Sequence, residues 1–306
     1  MNDGHNFYSH GKLLLTGEYA VLDGALSLAI PTRFGQTMKI EPLKAPYLKW
    51  RSLDHNGTPW FEASFERDSL FSNSPRYPDD AVAATLLKLL GAAKKLNPRF
   101  LADAGGYAVE TFLEFPRNWG LGSSSTLINN MAQWAQVDAF QLLWKGFSGS
   151  GYDIACARNH LPIAYQVIDK KPAVETVAFN PTFANKLFFV HLEKKQDSRE
   201  GIRRYRNLAH DKKGLVDQVS ALTRDVLACT RLYDFEQLLE RHEKLISDTI
   251  QLPTVKESLF PDYFGTLKSL GAWGGDFILA TGNEDTPPYF HGKGFKTVIP
   301  YPKMIA

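Results

Sequence analysis

The sequence predicts an α+β fold in two domains, and three observations predict it. The chain of 306 residues exceeds the roughly 250 residues at which a single hydrophobic core begins to stop growing. Its first half mixes strand and helix signals, whereas its second half turns to helical periodicity framed by short apolar strands. A seam at Asn180-Pro181 divides the two, giving expected domains of 1–180 and 181–306.

The elements follow in order. Residues 13–15 and 20–22 are apolar runs around Thr16-Gly17-Glu18, the pattern of two strands about a turn. Asn56-Gly57 between residues 47–53 and 60–65 is a strong hairpin signal, because a type I′ turn needs positive φ at both central positions. Residues 80–95 carry Val82, Leu86, Leu87 and Leu90 on one face, stop before Asn97-Pro98 and read as a helix. Residues 108–115 read as a strand that Pro116 ends. Beyond the seam, 186–192 is a short apolar strand. Leu215, Val219, Leu222, Val226 and Cys229 keep a 3-4 spacing, as do Phe235, Leu238, Leu239, His242 and Leu245, so two packing helices follow. Pro253 breaks the pattern, a further helix is expected near 259–270, and residues 277–281 and 295–300 close as strands.

Composition narrows the function classes. Lys and Arg number 35 against 33 Asp and Glu, a net charge of +2, with no long basic block, so nothing draws the chain strongly to nucleic acid or an anionic membrane surface. The two cysteines, Cys156 and Cys229, cannot build a disulfide framework or a zinc pattern and read as buried thiols. The first residues show no basic-then-apolar signal, and no apolar run approaches the length of a membrane span. The expectation is a cytoplasmic protein.

The chemistry concentrates in Pro116-Arg117-Asn118-Trp119-Gly120-Leu121-Gly122-Ser123-Ser124-Ser125-Thr126, between a strand and a helix carrying Leu127, Met131 and Trp134. Glycines let backbone approach a ligand closely, and the hydroxyl residues stand where a helix presents unpaired amides and the positive end of its dipole. An anion suits that place. The loop lacks the Gly-Lys-Ser/Thr of a Walker A motif, and Ser125 stands where a dinucleotide fingerprint requires glycine. A Ser-capped helix after a flexible loop is the plainer alternative. Two other clusters bear on the choice. Ser9-His10-Gly11-Lys12 opens an apolar strand, where an unpaired ammonium would be costly, and Gly271-Ala272-Trp273-Gly274-Gly275-Asp276 precedes another strand.

These motifs resemble the GHMP superfamily of small-molecule kinases, in its mevalonate kinase and phosphomevalonate kinase branch. Three family motifs stand in family order: Gly-Lys at 11–22, Pro-x-x-x-Gly-Leu-Gly-Ser-Ser at 116–124 and the glycine-rich segment at 271–276. A fourth, Gly149-Ser150-Gly151-Tyr152-Asp153, is similar to the stretch that supplies the family's catalytic aspartate. The resemblance implies a ribosomal protein S5 domain 2-like first domain, a ferredoxin-like second domain and a site in the cleft between them. It implies ATP and Mg²⁺ as cofactors, mevalonate or phosphomevalonate as substrate, no nucleic-acid or membrane partner, and is compatible with a homodimer.

By that resemblance Gly120, Leu121, Gly122, Ser123, Ser124 and Ser125 cradle the ATP phosphates, with the Ser124 hydroxyl near Mg²⁺. Gly274 and Gly275 belong to the same nucleotide site. Asp153 and Lys12 are the expected catalytic pair, against the plainer readings of a helix-capping aspartate and a surface lysine. Glu18 either orients Lys12 or the nucleotide loop, or is a solvated turn residue. Ser198 resembles a family Ser/Thr or caps a helix, and Arg199, Arg203, Arg204 and Arg206 face either an anionic substrate or solvent. Three departures stand out: Ser9-His10 replaces the family's Ala-Pro, Gln141 lies near the usual magnesium-binding glutamate, and Trp273 replaces a glycine. The last makes the third motif bulkier, and the loss of the glutamate leaves open a nucleotide- or metabolite-binding sensor without turnover; a kinase of the same superfamily for another hydroxylated metabolite is the other alternative.

Overall fold

A computed structural model describes residues 4–71, 80–103, 105–194, 198–208 and 211–306. The chain opens with β1 (His5–Thr16), a 3-10 turn (Ala20–Asp23), β2 (Ser27–Leu43), β3 (Tyr47–Leu53), β4 (Pro59–Glu66) and α1 (Arg67–Leu70). Next come α2 (Ala81–Leu96), β5 (Gly106–Leu113), α3 (Ser123–Ala135), α4 (Ala139–Gly146), α5 (Tyr152–Arg158), β6 (Ile163–Ile168) and β7 (Lys171–Thr176). The remainder is β8 (Leu187–His191), α6 (Ser198–Asn207), α7 (Lys212–Ala228), α8 (Leu232–Ile250), α9 (Val255–Leu259), β9 (Leu267–Ser269), β10 (Phe277–Thr281), α10 (Thr286–Gly292), β11 (Val298–Pro300) and α11 (Tyr301–Met304).

These elements form two compact units, each assembled from several stretches: Met1–Gly11, Phe34–Arg117 and Gly122–Arg158 in one, Lys12–Arg33, Asn118–Leu121 and Asn159–Ala306 in the other. The Asn180-Pro181 seam lies inside the second unit.

In the first unit β2, β5, β3 and β4 stand side by side, with β3 parallel to β5 and the other pairs antiparallel. Leu48, Trp50 and Ser52 are buried while Tyr47, Lys49 and Arg51 are exposed, the alternation of a sheet with one wet face. That outer face carries Lys39–Glu41 and Arg51–Glu62 ion pairs. Helices α2, α3 and α4 pack on one another, and α3 packs on α5. Asp80 caps α2 by accepting from the amides of Val82 and Ala83. The buried residues of α2 are Ala83, Leu86, Leu89, Leu90, Ala92 and Ala93; Val82 shares the angle of Leu86 and Ala93 but is exposed in the first turn, and Leu87 is half-buried.

The second unit contains the β6–β7 hairpin, whose β6 pairs with Ser27, Leu28 and Ala29 of β2, and an antiparallel sheet in the order β11-β8-β10-β9. One cluster around Phe260, Ile278 and Phe290 and another around Tyr205, Val219 and Ile246 form its core. The 3-4 spacing of the two long helices holds for Leu215, Val219, Leu222 and Val226 on α7 and for Phe235, Leu239 and His242 on α8, whereas Leu238 and Leu245 are half-buried and Ile246 takes a core place that the spacing did not name.

Two expected elements differ. Residues 20–22 form a 3-10 turn instead of a strand, because Tyr19 takes φ +60° and Gly24 φ +92°, reversing the chain at both ends. The helix expected over 259–270 is the short α9 followed by a turn and β9. Gly265, in the bend before β9, lies so close to the carbonyl of Thr281 on β10 that a Cβ would collide with it, an approach that a continuous helix through these residues would not make. Cys156 is buried as expected, whereas Cys229 is half-exposed and its thiol donates to the carbonyl of Arg231.

Candidate active site

In the second unit, Lys12 lies in β1 with its side chain half-buried among buried neighbours. Its Nζ donates to the carbonyl oxygen of Gly120 at 2.7 Å, and its backbone amide donates to the carbonyl of Leu121 at 2.9 Å. Gly120 has φ +67°, and a Cβ there would collide with the carboxylate of Asp276. Only glycine meets both conditions without strain. Gly271 lies on the same side, where a Cβ would stand 4.0 Å from Lys12 Nζ. The Gly-Lys motif, the start of the Gly-Leu-Gly loop and both ends of the third glycine motif therefore converge. The loop's Trp119 packs edge-on against Phe277 at 5.4 Å between ring centroids, and the carbonyl of Asn118 lies 3.1 Å from His191 Nε2.

In the first unit, α3 begins at Ser123 after Gly122, which takes φ +88° and has no side chain with which to cap the helix. Ser125 is buried and donates to the Gly122 carbonyl at 2.8 Å, whereas Ser124 is exposed. The amino end of α3 thus presents amides and the positive end of its dipole without a capping oxygen from the preceding residue. Polar side chains fix the helix from beneath. Thr126 donates to Gln36, Asn130 Nδ2 donates to the Gln36 carbonyl, and Ser9 joins Asn129 and Asn130 in a buried chain of hydrogen bonds. Asn129 also reaches the Ala157 carbonyl on α5 at 3.4 Å. Asp153 lies in the first turn of α5, half-buried, with Oδ1 accepting from the amide of Ile154 at 3.1 Å.

Glu18 occupies a different setting from the one expected. Its side chain is 0% exposed and its Oε1 accepts from Lys268 Nζ at 2.5 Å. Lys268 also donates to the Ser269 carbonyl and lies 3.4 Å from Glu243, which accepts from the amide and hydroxyl of Ser269. Glu18 Oε2 has no hydrogen-bond partner and lies 3.5 Å from His242 Nε2, which accepts from the amide of Gly17 at 3.0 Å. Burial pushes the Glu18 carboxyl up to about 7 against the pull of the Lys268 ammonium. Burial, helped by Lys268, holds His242 well below its usual value and therefore neutral. The cluster holds two carboxylates for one ammonium, so a proton retained on Glu18 relieves the excess negative charge. Glu18 has no exposed atom to offer a nucleotide and is not a solvated turn residue.

Of the remaining residues singled out by sequence, Gly274 is exposed at φ +89° with open space around its Cβ position, and Gly275 is buried. Arg199, Arg203, Arg204 and Arg206 are exposed, and Arg204 donates to the carbonyls of Ile250 and Gln251 at the end of α8. Ser198 opens α6, and the preceding 195–197 lie outside the described residues. Sequence reasoning did not single out Asp276 or Lys268. The positive φ of Asp276, +55°, has no sequence signal beyond its place after two glycines, and Lys268 signals itself only as a lysine in an apolar strand. A concavity of about 590 Å³ on the outer sheet face, bounded by residues such as Lys39, Arg51, Glu62 and Glu110, contains none of the expected site residues.

Among the described residues no group of three or more His, Cys, Asp or Glu side chains is gathered to hold a metal. Magnesium does not need one, since it commonly binds through one or two protein oxygens, substrate phosphates and water. The exposed Ser124 hydroxyl is an oxygen of that type, so the residues fit an ion that arrives with a nucleotide. Gln141, exposed on α4, offers an amide where a carboxylate was expected. Among the described residues no helix is long and apolar enough to cross a membrane.

No protein-family model matches the sequence, and no curated protein matches it. Solved structures do match. The mevalonate kinase of Methanococcus jannaschii superposes with a TM-score of 0.69 at 14% identity, covering 95% of each chain. A Streptococcus pneumoniae phosphomevalonate kinase in complex with phosphomevalonate and AMPPNP gives 0.69 at 16% identity over 94% of this chain and 95% of the other. The Lactococcus lactis galactokinase complexed with galactose gives 0.64 at 14% identity over 95% and 88%. The chain has the GHMP-kinase fold, the fold its motifs imply.

Proposed function

We propose that this protein is an ATP-dependent kinase that transfers the γ-phosphoryl group of ATP to mevalonate or phosphomevalonate. The observation that carries the reading is the uncapped amino end of α3, opened by two left-handed glycines and preceded by a loop that Lys12 holds, in a chain with the fold of such kinases. An N-terminus of this kind favours negative charge by roughly 0.3 to 2 kcal/mol.

In this reading Gly120 to Ser125, Gly274 and Gly275 bind the nucleotide phosphates, and Ser124 would hold Mg²⁺, whose charge would offset that of the phosphates. The acceptor oxygen attacks the γ-phosphorus, the bond to the β,γ-bridging oxygen breaks and ADP leaves. If the acceptor is the alcohol of mevalonate, Asp153 accepts its proton late in transfer, a contribution of about 10² to 10⁴ in rate. If it is the phosphate of phosphomevalonate, it is mostly deprotonated near neutral pH and needs a cation to offset repulsion, a role for Lys12. The nucleotide-binding domain is 1–180, the second domain 181–306, and the reaction is cytoplasmic. A second reading, a nucleotide- or metabolite-binding sensor without turnover, is favoured by the neutral Gln141. Coupled ADP release with mevalonate, phosphomevalonate and galactose separates them: release with one of the first two supports the kinase, and ATP binding without transfer to any acceptor supports the sensor.

A further inference from the structure

The turn Gly17-Glu18-Tyr19 reaches the segment Lys268–Asp276 at two points. Glu18 pairs with Lys268 at 2.5 Å, one residue before Ser269 and three before Gly271. The hydroxyl of Tyr19 accepts from the backbone amide of Trp273 at 3.0 Å. Each contact is itself fixed from outside. Lys268 is also 3.4 Å from Glu243 on α8. The Tyr19 ring stacks on Tyr205 at 5.7 Å, and Tyr205 donates to Asp23 at 2.6 Å. On α6, Gly201 lies against the Tyr19 hydroxyl so closely that a side chain there would displace it. Trp273 is 6% exposed and its Nε1 donates to the Pro253 carbonyl at 3.1 Å. Tyr19 holds φ +60°, an unfavourable backbone for a bulky residue that persists only where its surroundings fix it.

We infer that Glu18 and Tyr19 are positioning residues for nucleotide binding: they hold the Gly271–Asp276 loop in one conformation, with Trp273 as the anchor they act on. This rests on the kinase reading for the ligand, while the mount itself rests on the contacts above. Loops rich in glycine lose more conformational entropy than others when ordered. A loop ordered before the nucleotide arrives binds it without that loss. The bulky Trp273 at a position where the family has a glycine is thereby given a role, and so is a glutamate whose side chain is fully buried.

The test uses the full chain. Tyr19→Phe deletes one hydroxyl and keeps the ring. Amide hydrogen exchange at 271–276 without nucleotide is expected to quicken by about twofold to tenfold, the effect of one lost hydrogen bond. The dissociation constant for ATP is expected to rise by about the same factor. A second variant, Glu18→Gln with Lys268→Met, removes the Glu18–Lys268 pair as a unit and leaves Glu243 held by the amide and hydroxyl of Ser269; the same two changes are expected. Unchanged exchange in both variants overturns the mount even if melting temperatures fall. Quickened exchange with unchanged ATP affinity overturns the positioning role. A wild-type protein that binds no ATP removes the kinase reading and the nucleotide half of this inference, and the exchange data then decide the mount on their own.

Discussion

Lys12 holds Gly120 through its side chain and Leu121 through its backbone, at 2.7 and 2.9 Å. A single residue of the first strand therefore fixes the loop that enters α3 at two successive carbonyls. That loop has little freedom left, because Gly120 is also pressed against Asp276.

Gly120→Ala tests this arrangement. Alanine at φ +67° costs about 1 kcal/mol, and its methyl would displace the Asp276 carboxylate. A stability loss of about 1 to 3 kcal/mol is expected by denaturant unfolding. Adding Asp276→Ala should recover the steric part and leave the backbone part. No recovery would show that the carboxylate is not what the methyl meets.

Gly122→Val tests the helix end. A branched side chain at φ +88° strains the turn that opens α3. ATP affinity should fall at least tenfold by calorimetric titration. Normal affinity in a folded variant would contradict the phosphate-loop assignment.

Asp153→Asn keeps the shape and removes the base. With an alcohol acceptor, turnover should fall by about 10² to 10⁴ while ATP affinity changes little. Unchanged turnover in steady-state assays would remove Asp153 from the mechanism.

Lys268→Met leaves Glu18 and Glu243 without their cation. Breaking a buried pair from one side costs about 3 to 5 kcal/mol, so the melting temperature should fall steeply. Adding Glu18→Gln should restore part of it, which thermal unfolding checks. Equal losses in the single and double variants would deny the pairing.

The same cluster gives a pH signature. Glu18 titrates near 7 in the fold and near 4.5 in the unfolded chain, so the fold retains a proton that the unfolded chain releases. The stability it lends is full below about 4.5 and is lost as pH rises to about 7, in contrast to a carboxylate held below its usual value. Wild type should lose stability relative to Glu18→Gln across that window, as denaturant unfolding at several pH values will show. A constant difference would mean that Glu18 is ionised throughout.

The parts of this fold legible in the sequence are those set by local chemistry. Asn56-Gly57 gave its hairpin, and the 3-4 spacing of α7 and α8 most of their buried faces. Gly120 and Gly122 could be singled out because positive φ is a demand on one residue alone. Other features depend on residues far away. Glu18 meets Lys268 across 250 residues, and nothing beside Glu18 announces that meeting. Leu259, Leu267 and Leu270 fit a helical period as well as they fit a turn and a strand. The choice is made by the approach of Gly265 to Thr281, which is tertiary. Asp276 was passed over for the same reason: its importance comes from Gly120, a residue of another motif.

Phosphoryl transfer itself is tested most directly by phosphorus NMR of the protein incubated with ATP, Mg²⁺ and either acceptor. The expected result is conversion of ATP to ADP with a new phosphorus signal on the acceptor, a monoester from mevalonate or a coupled diphosphate pair from phosphomevalonate. ATP that binds yet stays intact with both acceptors, or that yields only ADP and inorganic phosphate, would contradict it.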